Sequence, residues 1–185
     1  MPSLSKQIQG ISKKIDGYAD KFGGKELRVG ILSGHYEEAR GGENYAYVAA
    51  IQEFGAPEVK IPPRPFFRPA VAEHQAEWAE IMADGATRVI AGEISEEDAL
   101  ETVGQQAEGD IQMQVTKVNA PALSPITVML RGMRANNPDL KMGGKVVGEA
   151  AQRVADGKTN YGADDKPLDD SGEMKAHIKH LVVDK

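Results

Sequence analysis

Cysteine is absent from this 185-residue chain. Without a thiol there is no disulfide, no thiolate zinc or iron–sulfur site and no cysteine nucleophile, and a reducing compartment is expected. Aromatic residues make up only 5% of the chain, too few for the stacking platforms that hold single-stranded nucleic acid. A basic excess is missing as well. The 22 Lys+Arg face 28 Asp+Glu, a net charge of −6, whereas domains that live on phosphate contacts are normally basic. No apolar run approaches the ~20 residues that span a bilayer. Met1-Pro2-Ser3-Leu4 opens no basic-then-apolar leader, so neither a membrane partner nor a signal peptide is expected. With 41% hydrophobic residues, the chain can bury a modest core and reads as a single domain over 1–185.

Periodicity assigns the elements. Leu4, Ile8, Ile11, Ile15, Tyr18 and Phe22 repeat at spacings 4-3-4-3-4, the apolar stripe of an N-terminal helix ended by Gly23-Gly24. Leu27, Val29 and Ile31 alternate with Arg28 and Gly30 as in a half-buried strand. Tyr47, Val48, Ile51 and Phe54 predict a second helix, closed by Gly55. Five prolines between 56 and 69 predict an extended arm up to Pro65. A helix resumes there on a face of Phe67, Val71, His74, Trp78, Ile81 and Met82 and runs to about Ala91. Ser95 with Asp98 three residues on is a capping box. It opens a helix with Leu100, Val103, Ala107, Ile111, Val115 and Val118 on one face. Ser124-Pro125 reads as the cap and first residue of a short helix to about Met133, and another is expected around Val146 to Val154. The last strand is read at 176–183 and is expected to pair with the one near 27–32, because an isolated strand leaves its backbone groups unsatisfied. The fold class is α+β: a small, mostly antiparallel sheet packed by the N-terminal helix and the long central helices. Further strands are allowed for in 34–46 and 56–62.

Catalytic patterns fail one after another. Gly23-Gly24-Lys25 and Gly143-Gly144-Lys145 are followed by Glu26 and Val146, not by the Ser/Thr of a phosphate loop, and read as helix-end glycines. His177 and His180 form H-x-x-H, which could share a metal on a helix but points to opposite faces on a strand. His35 and His74 stand alone, and Ser95, Ser124 and Ser171 have no nucleophile-elbow setting. Asp164-Asp165 and Asp169-Asp170 lack the alternating ligands of a calcium loop and read as solvated turns. No catalytic residue, cofactor or metal is assigned. The turn at Leu168-Asp169-Asp170-Ser171-Gly172 is expected to be architectural, with Asp170 or Ser171 accepting a backbone N–H and Gly172 taking positive φ.

Two strings are more specific. Tyr47-Val48-Ala49-Ala50-Ile51-Gln52-Glu53-Phe54-Gly55 is followed by Ile61-Pro62-Pro63-Arg64-Pro65-Phe66-Phe67-Arg68-Pro69-Ala70. Later come Leu123-Ser124-Pro125-Ile126-Thr127 and Lys166-Pro167-Leu168-Asp169-Asp170-Ser171-Gly172-Glu173-Met174. In this order they resemble the A-x-I-x-E-F-G, I-P-x-R-P-F-x-R-P, L-S-P-x-T and P-L-x-D-[ST]-G-x-L elements of tailed-phage virion morphogenesis (tail-completion) proteins. Asp169 and Met174 depart from that pattern, and the stretch at about 135–165 is longer than the common form, as an insertion would be. The resemblance implies a non-enzymatic ring subunit at the head–tail junction of the virion, assembled in the host bacterial cytoplasm. Its partners would be copies of itself (a hexamer, or a dodecamer), the head–tail connector or adaptor, and tail tube or sheath proteins. DNA would pass only as cargo. In that role Ile61, Arg64, Phe66, Phe67 and Arg68 are expected at a subunit or partner interface, the phenylalanines as anchors and the arginines as carboxylate clamps. Two other classes compete: a DNA-packaging or nucleic-acid accessory protein, which needs clustered cations, and a metal-dependent hydrolase using His177, His180 and nearby acids.

Overall fold

In a computed structural model that describes residues 13, 17, 22–34, 42–158, 165–168 and 172–185, two strands and six helices follow one another along the chain. They are β1 (Lys25–Ile31), α1 (Tyr45–Phe54), α2 (Phe67–Ala91), α3 (Glu96–Lys117), α4 (Pro125–Asn136), α5 (Gly144–Ala155), the single turn α6 (Glu173–Ala176) and β2 (Ile178–Asp184). β1 and β2 pair as a two-stranded antiparallel sheet, as expected since an isolated strand leaves its backbone groups unsatisfied, and the class is α+β. β2 begins at Ile178, later than the expected 176, because Glu173–Ala176 turn as α6. In the 56–62 stretch the structure has one isolated antiparallel bridge, Ala56 to Ile61, around a single 3₁₀ turn at Pro57–Val59. Prolines there supply no N–H, so a ladder cannot continue. Of the 34–46 stretch, residues 35–41 lie outside the described residues. So do Leu4, Ile8, Ile11, Ile15 and Tyr18 of the expected N-terminal stripe; Lys13 and Gly17 are helical and exposed, and Phe22 is half-buried.

The chain divides into two compact units, each gathered from separated stretches. One takes the chain up to Gly30, Glu73–Gly109 and His180–Lys185; the other takes Ile31–Ala72 and Asp110–Lys179. In the first, Val89, Ala99, Val103 and Ala107 are buried. A Cβ added at Gly85 would stand 3.0 Å from the Cβ of Ala99, so glycine lets α2 and α3 approach closely there. The capping box forms as expected: the Asp98 N–H donates to Ser95 Oγ at 3.1 Å, and Asp98 Oδ2 accepts the Ser95 N–H at 3.1 Å. Lys25 sits between Glu97 (3.2 Å) and Asp184 (2.9 Å).

The second unit is built on Ile111, Val115, Met129 and Ile178, the largest fully buried side chains. Ser124 caps α4 by accepting the Thr127 N–H at 3.1 Å, and Pro125 opens it. α4 runs three residues past Met133, to Asn136, and packs with α5, which buries Ala150. Among the described residues no helix is long and apolar enough to cross a membrane.

Candidate functional site: a brace around Glu53

α1 buries Tyr45, Ala49 and Glu53, spaced four apart on one face. A carboxylate at the end of an apolar face is costly unless it is paired. Glu53 is only 4% exposed and is paired completely. Its Oε2 accepts the backbone N–H of Phe66 at 2.7 Å and of Phe67 at 2.9 Å. Its Oε1 accepts the N–H of Arg68 at 3.2 Å and the Nε–H of the Arg68 guanidinium at 2.8 Å. The guanidinium also donates to the Glu53 main-chain carbonyl, at 3.0 Å. A side chain 13 to 15 residues upstream thus caps α2, satisfying donors that have no intrahelical partner and placing negative charge at the positive end of the helix. Burial alone would raise the Glu53 carboxyl, but the Arg68 guanidinium and the three N–H donors outweigh it and hold the group below its ordinary range.

Gly55 explains the rest of the Glu-Phe-Gly string. It adopts φ 78°, and an added Cβ would stand 2.9 Å from Pro63 N and 3.0 Å from Ile61 O. Only glycine fits both constraints. The arm folds back there through paired Ala56–Ile61 backbone bonds of 2.9 and 3.0 Å, and the Arg64 N–H donates to Gln52 O at 2.6 Å.

The five residues assigned to an interface separate in the structure. Arg64 is 5% exposed, and its guanidinium donates to the carbonyls of Pro121 (2.8 Å) and Ala122 (3.1 Å) and to Gln52 Oε1 (3.3 Å). It grips carbonyls of its own chain where a carboxylate clamp was expected. Phe66 is 3% exposed. Arg68 does clamp a carboxylate, but an internal one, and its guanidinium carbon lies 4.9 Å over the ring of Phe54. Buried side chains cannot reach a neighbour, so among the five only Ile61, Phe67 and Arg68 keep surface for a partner. The structure also exposes Tyr47 (58%) and Phe54 (64%), which the sequence reading placed on the apolar stripe of this helix, and Val59 (65%). Tyr47 and Phe54 are seven apart on α1 and therefore share a face.

The second string is anchored in the same unit. Arg131 donates to the carbonyls of Lys166 (2.6 Å) and Pro167 (3.1 Å), and Leu168 and Met174 are buried. Gly172 takes φ 73°, as the turn chemistry predicted, and its carbonyl accepts the Ala176 N–H at 2.9 Å to open α6; Asp170 and Ser171 lie outside the described residues. Tyr45 donates its hydroxyl to Glu173 at 3.0 Å and stacks on His177, ring centroids 4.0 Å apart. A pocket of about 310 Å³ opens between α1, α4 and this turn, lined by Val48, Leu123, Leu130, Arg134 and Met174. His177 therefore packs on Tyr45, while His180 is held by Glu101 and Glu108. The two histidines have separate partners, but only His180 lies on the strand; His177, expected there too, caps the C-terminus of α6.

Glu53 is the residue that sequence reasoning missed. The apolar stripe Tyr47, Val48, Ile51 and Phe54 put Glu53 on the opposite side of the helix, whereas the structure buries Tyr45, Ala49 and Glu53. The groups around it hold backbone and charge in place; they form a brace. No family model, no curated protein and no solved structure matches this chain.

Proposed function

We propose that this chain is a structural, non-enzymatic subunit of a tailed-phage neck, forming a ring at the head–tail junction that joins the capsid connector to the tail and lets DNA through. One observation carries the reading. The two strings that resemble tail-completion proteins lie in one unit, each braced by own-chain bonds through Glu53 and Arg131, and leave Tyr47, Phe54 and Val59 exposed, with Arg68 over the Phe54 ring. A pre-ordered arm loses less conformational entropy on docking than a flexible loop. A ring needs one surface to meet a different surface on the next copy, and a fixed apolar face is one half of such a contact. The net charge of −6 keeps phosphate affinity low, which suits a passage that DNA must not stick to. The competing nucleic-acid reading requires retention on heparin at physiological salt.

Electron-microscopy class averages of the recombinant protein and of virion necks test the proposal. A closed sixfold or twelvefold ring with a central opening is expected. A monomer at every concentration, together with absence from purified virions, would overturn it.

A further inference from the structure

β2 carries an imidazole gripped from two sides. In the unit that holds β1 and the first part of α3, His180 Nδ1 lies 2.6 Å from Glu108 Oε2 and Nε2 lies 2.8 Å from Glu101 Oε2. The same Glu108 oxygen accepts the His180 backbone N–H at 3.0 Å. Glu101, Gly104 and Glu108 occupy one face of α3, at spacings of three and four. Gly104 makes room: an added Cβ would stand 2.6 Å from the imidazole and 2.8 Å from Leu27 of β1. A neutral imidazole has one N–H and one lone pair, so one of its nitrogens would point a lone pair at a carboxylate oxygen. With both carboxylates ionised, both contacts are satisfied only when both nitrogens carry protons.

We propose that His180 is a proton-operated latch, which ties the C-terminal strand to α3 while both ring nitrogens are protonated and frees it when one proton leaves. The charged groups facing the ring are Glu101 and Glu108 from α3. β1 presents the Leu27 methyl; its Lys25 pairs with Glu97 and Asp184, and its Glu26 pairs with Arg28. Burial opposes the charged form, and the two carboxylates outweigh it, raising the group above the ordinary imidazole range. For a raised group, the stabilisation is complete below the unfolded value of about 6.5 and is lost as pH rises through the folded value. The latch is therefore closed in mild acid and opens toward alkaline pH.

Long-range ¹H–¹⁵N imidazole spectra and amide hydrogen exchange on the full chain, from pH 5.5 to 9, test this. The doubly protonated His180 ring should persist to higher pH than that of an ordinary imidazole. Protection of residues 180–184, relative to α1 amides in the same sample, should fall roughly tenfold for each pH unit by which the folded value exceeds the unfolded one. His180→Gln should abolish that step, and Glu101→Gln should move it to lower pH. Titration of His180 at or below about 6.5, or strand protection unchanged across its titration, overturns the latch in the wild-type protein alone, whatever the variants do.

Discussion

The Glu53 carboxylate accepts four hydrogen bonds, and its removal has a calculable sense. In Glu53→Ala the Phe66 and Phe67 N–H groups lose their acceptor in a buried setting. Each unsatisfied buried donor costs about 1–3 kcal/mol, so a loss on the order of 2–4 kcal/mol is expected in urea melts. The acid limb should change too. A depressed carboxyl contributes stability above its unfolded value of about 4.3 that is lost as pH falls through the folded value. Glu53→Gln should flatten the wild-type stability decline in that acid window, and an unchanged acid limb would show that Glu53 gains nothing from ionisation. Residue chemistry was legible in the sequence where partners were near. Ser95 with Asp98, Ser124 with Thr127 and the positive φ of Gly172 are all settled within three or four residues. Glu53 and His180 bond to residues 13 or more positions away, and no local spacing encodes that.

Helices and strands were legible at the level of the element, because burial imposes a period on apolar residues. The face of α2 was less so. Its fully buried positions are Ala70, Gly85 and Val89, whereas Phe67, Trp78 and Ile81 are only half-buried. Small residues mark where elements come closest, and a reading weighted by apolar bulk passes over them. α3 offers a paired test of this principle. An added Cβ at Gly109 meets nothing within 4 Å, whereas at Gly104 it meets the His180 ring at 2.6 Å. Gly109→Ala should therefore stabilise by about 0.5–1 kcal/mol through helix propensity alone. Gly104→Ala gains the same propensity but must displace the imidazole and Leu27, and should be net destabilising by about 1–3 kcal/mol. Chemical denaturation of the two variants side by side reads the difference, and equal effects would mean that β2 does not lie against that face.

At the scale of the whole molecule, the chain leaves and re-enters each of its two units, an organisation that no periodicity or composition shift announces. The scale also decides how the brace can be separated from a partner surface. Arg64 and Phe66 are interior, so substituting them tests folding rather than assembly. Arg64→Ala would leave the Pro121 and Ala122 carbonyls without a donor and should cost on the order of 2–4 kcal/mol. Tyr47 and Val59 are more than half exposed, and neither forms the Glu53 brace. Tyr47→Ser with Val59→Ser should therefore leave the melting transition within about 0.5 kcal/mol of wild type, as surface substitutions usually do. If this face joins copies, the same variant should lose the ring in sedimentation and class averages while remaining folded by circular dichroism. Rings that survive the double substitution would exclude this face from the subunit contact. A variant that unfolds would show instead that the two side chains belong to the core. Because Gln52, which Arg64 grips, and Tyr47 share α1, contrasting Arg64→Ala with Tyr47→Ser/Val59→Ser distinguishes a helix that serves its own fold from one that also serves a neighbour.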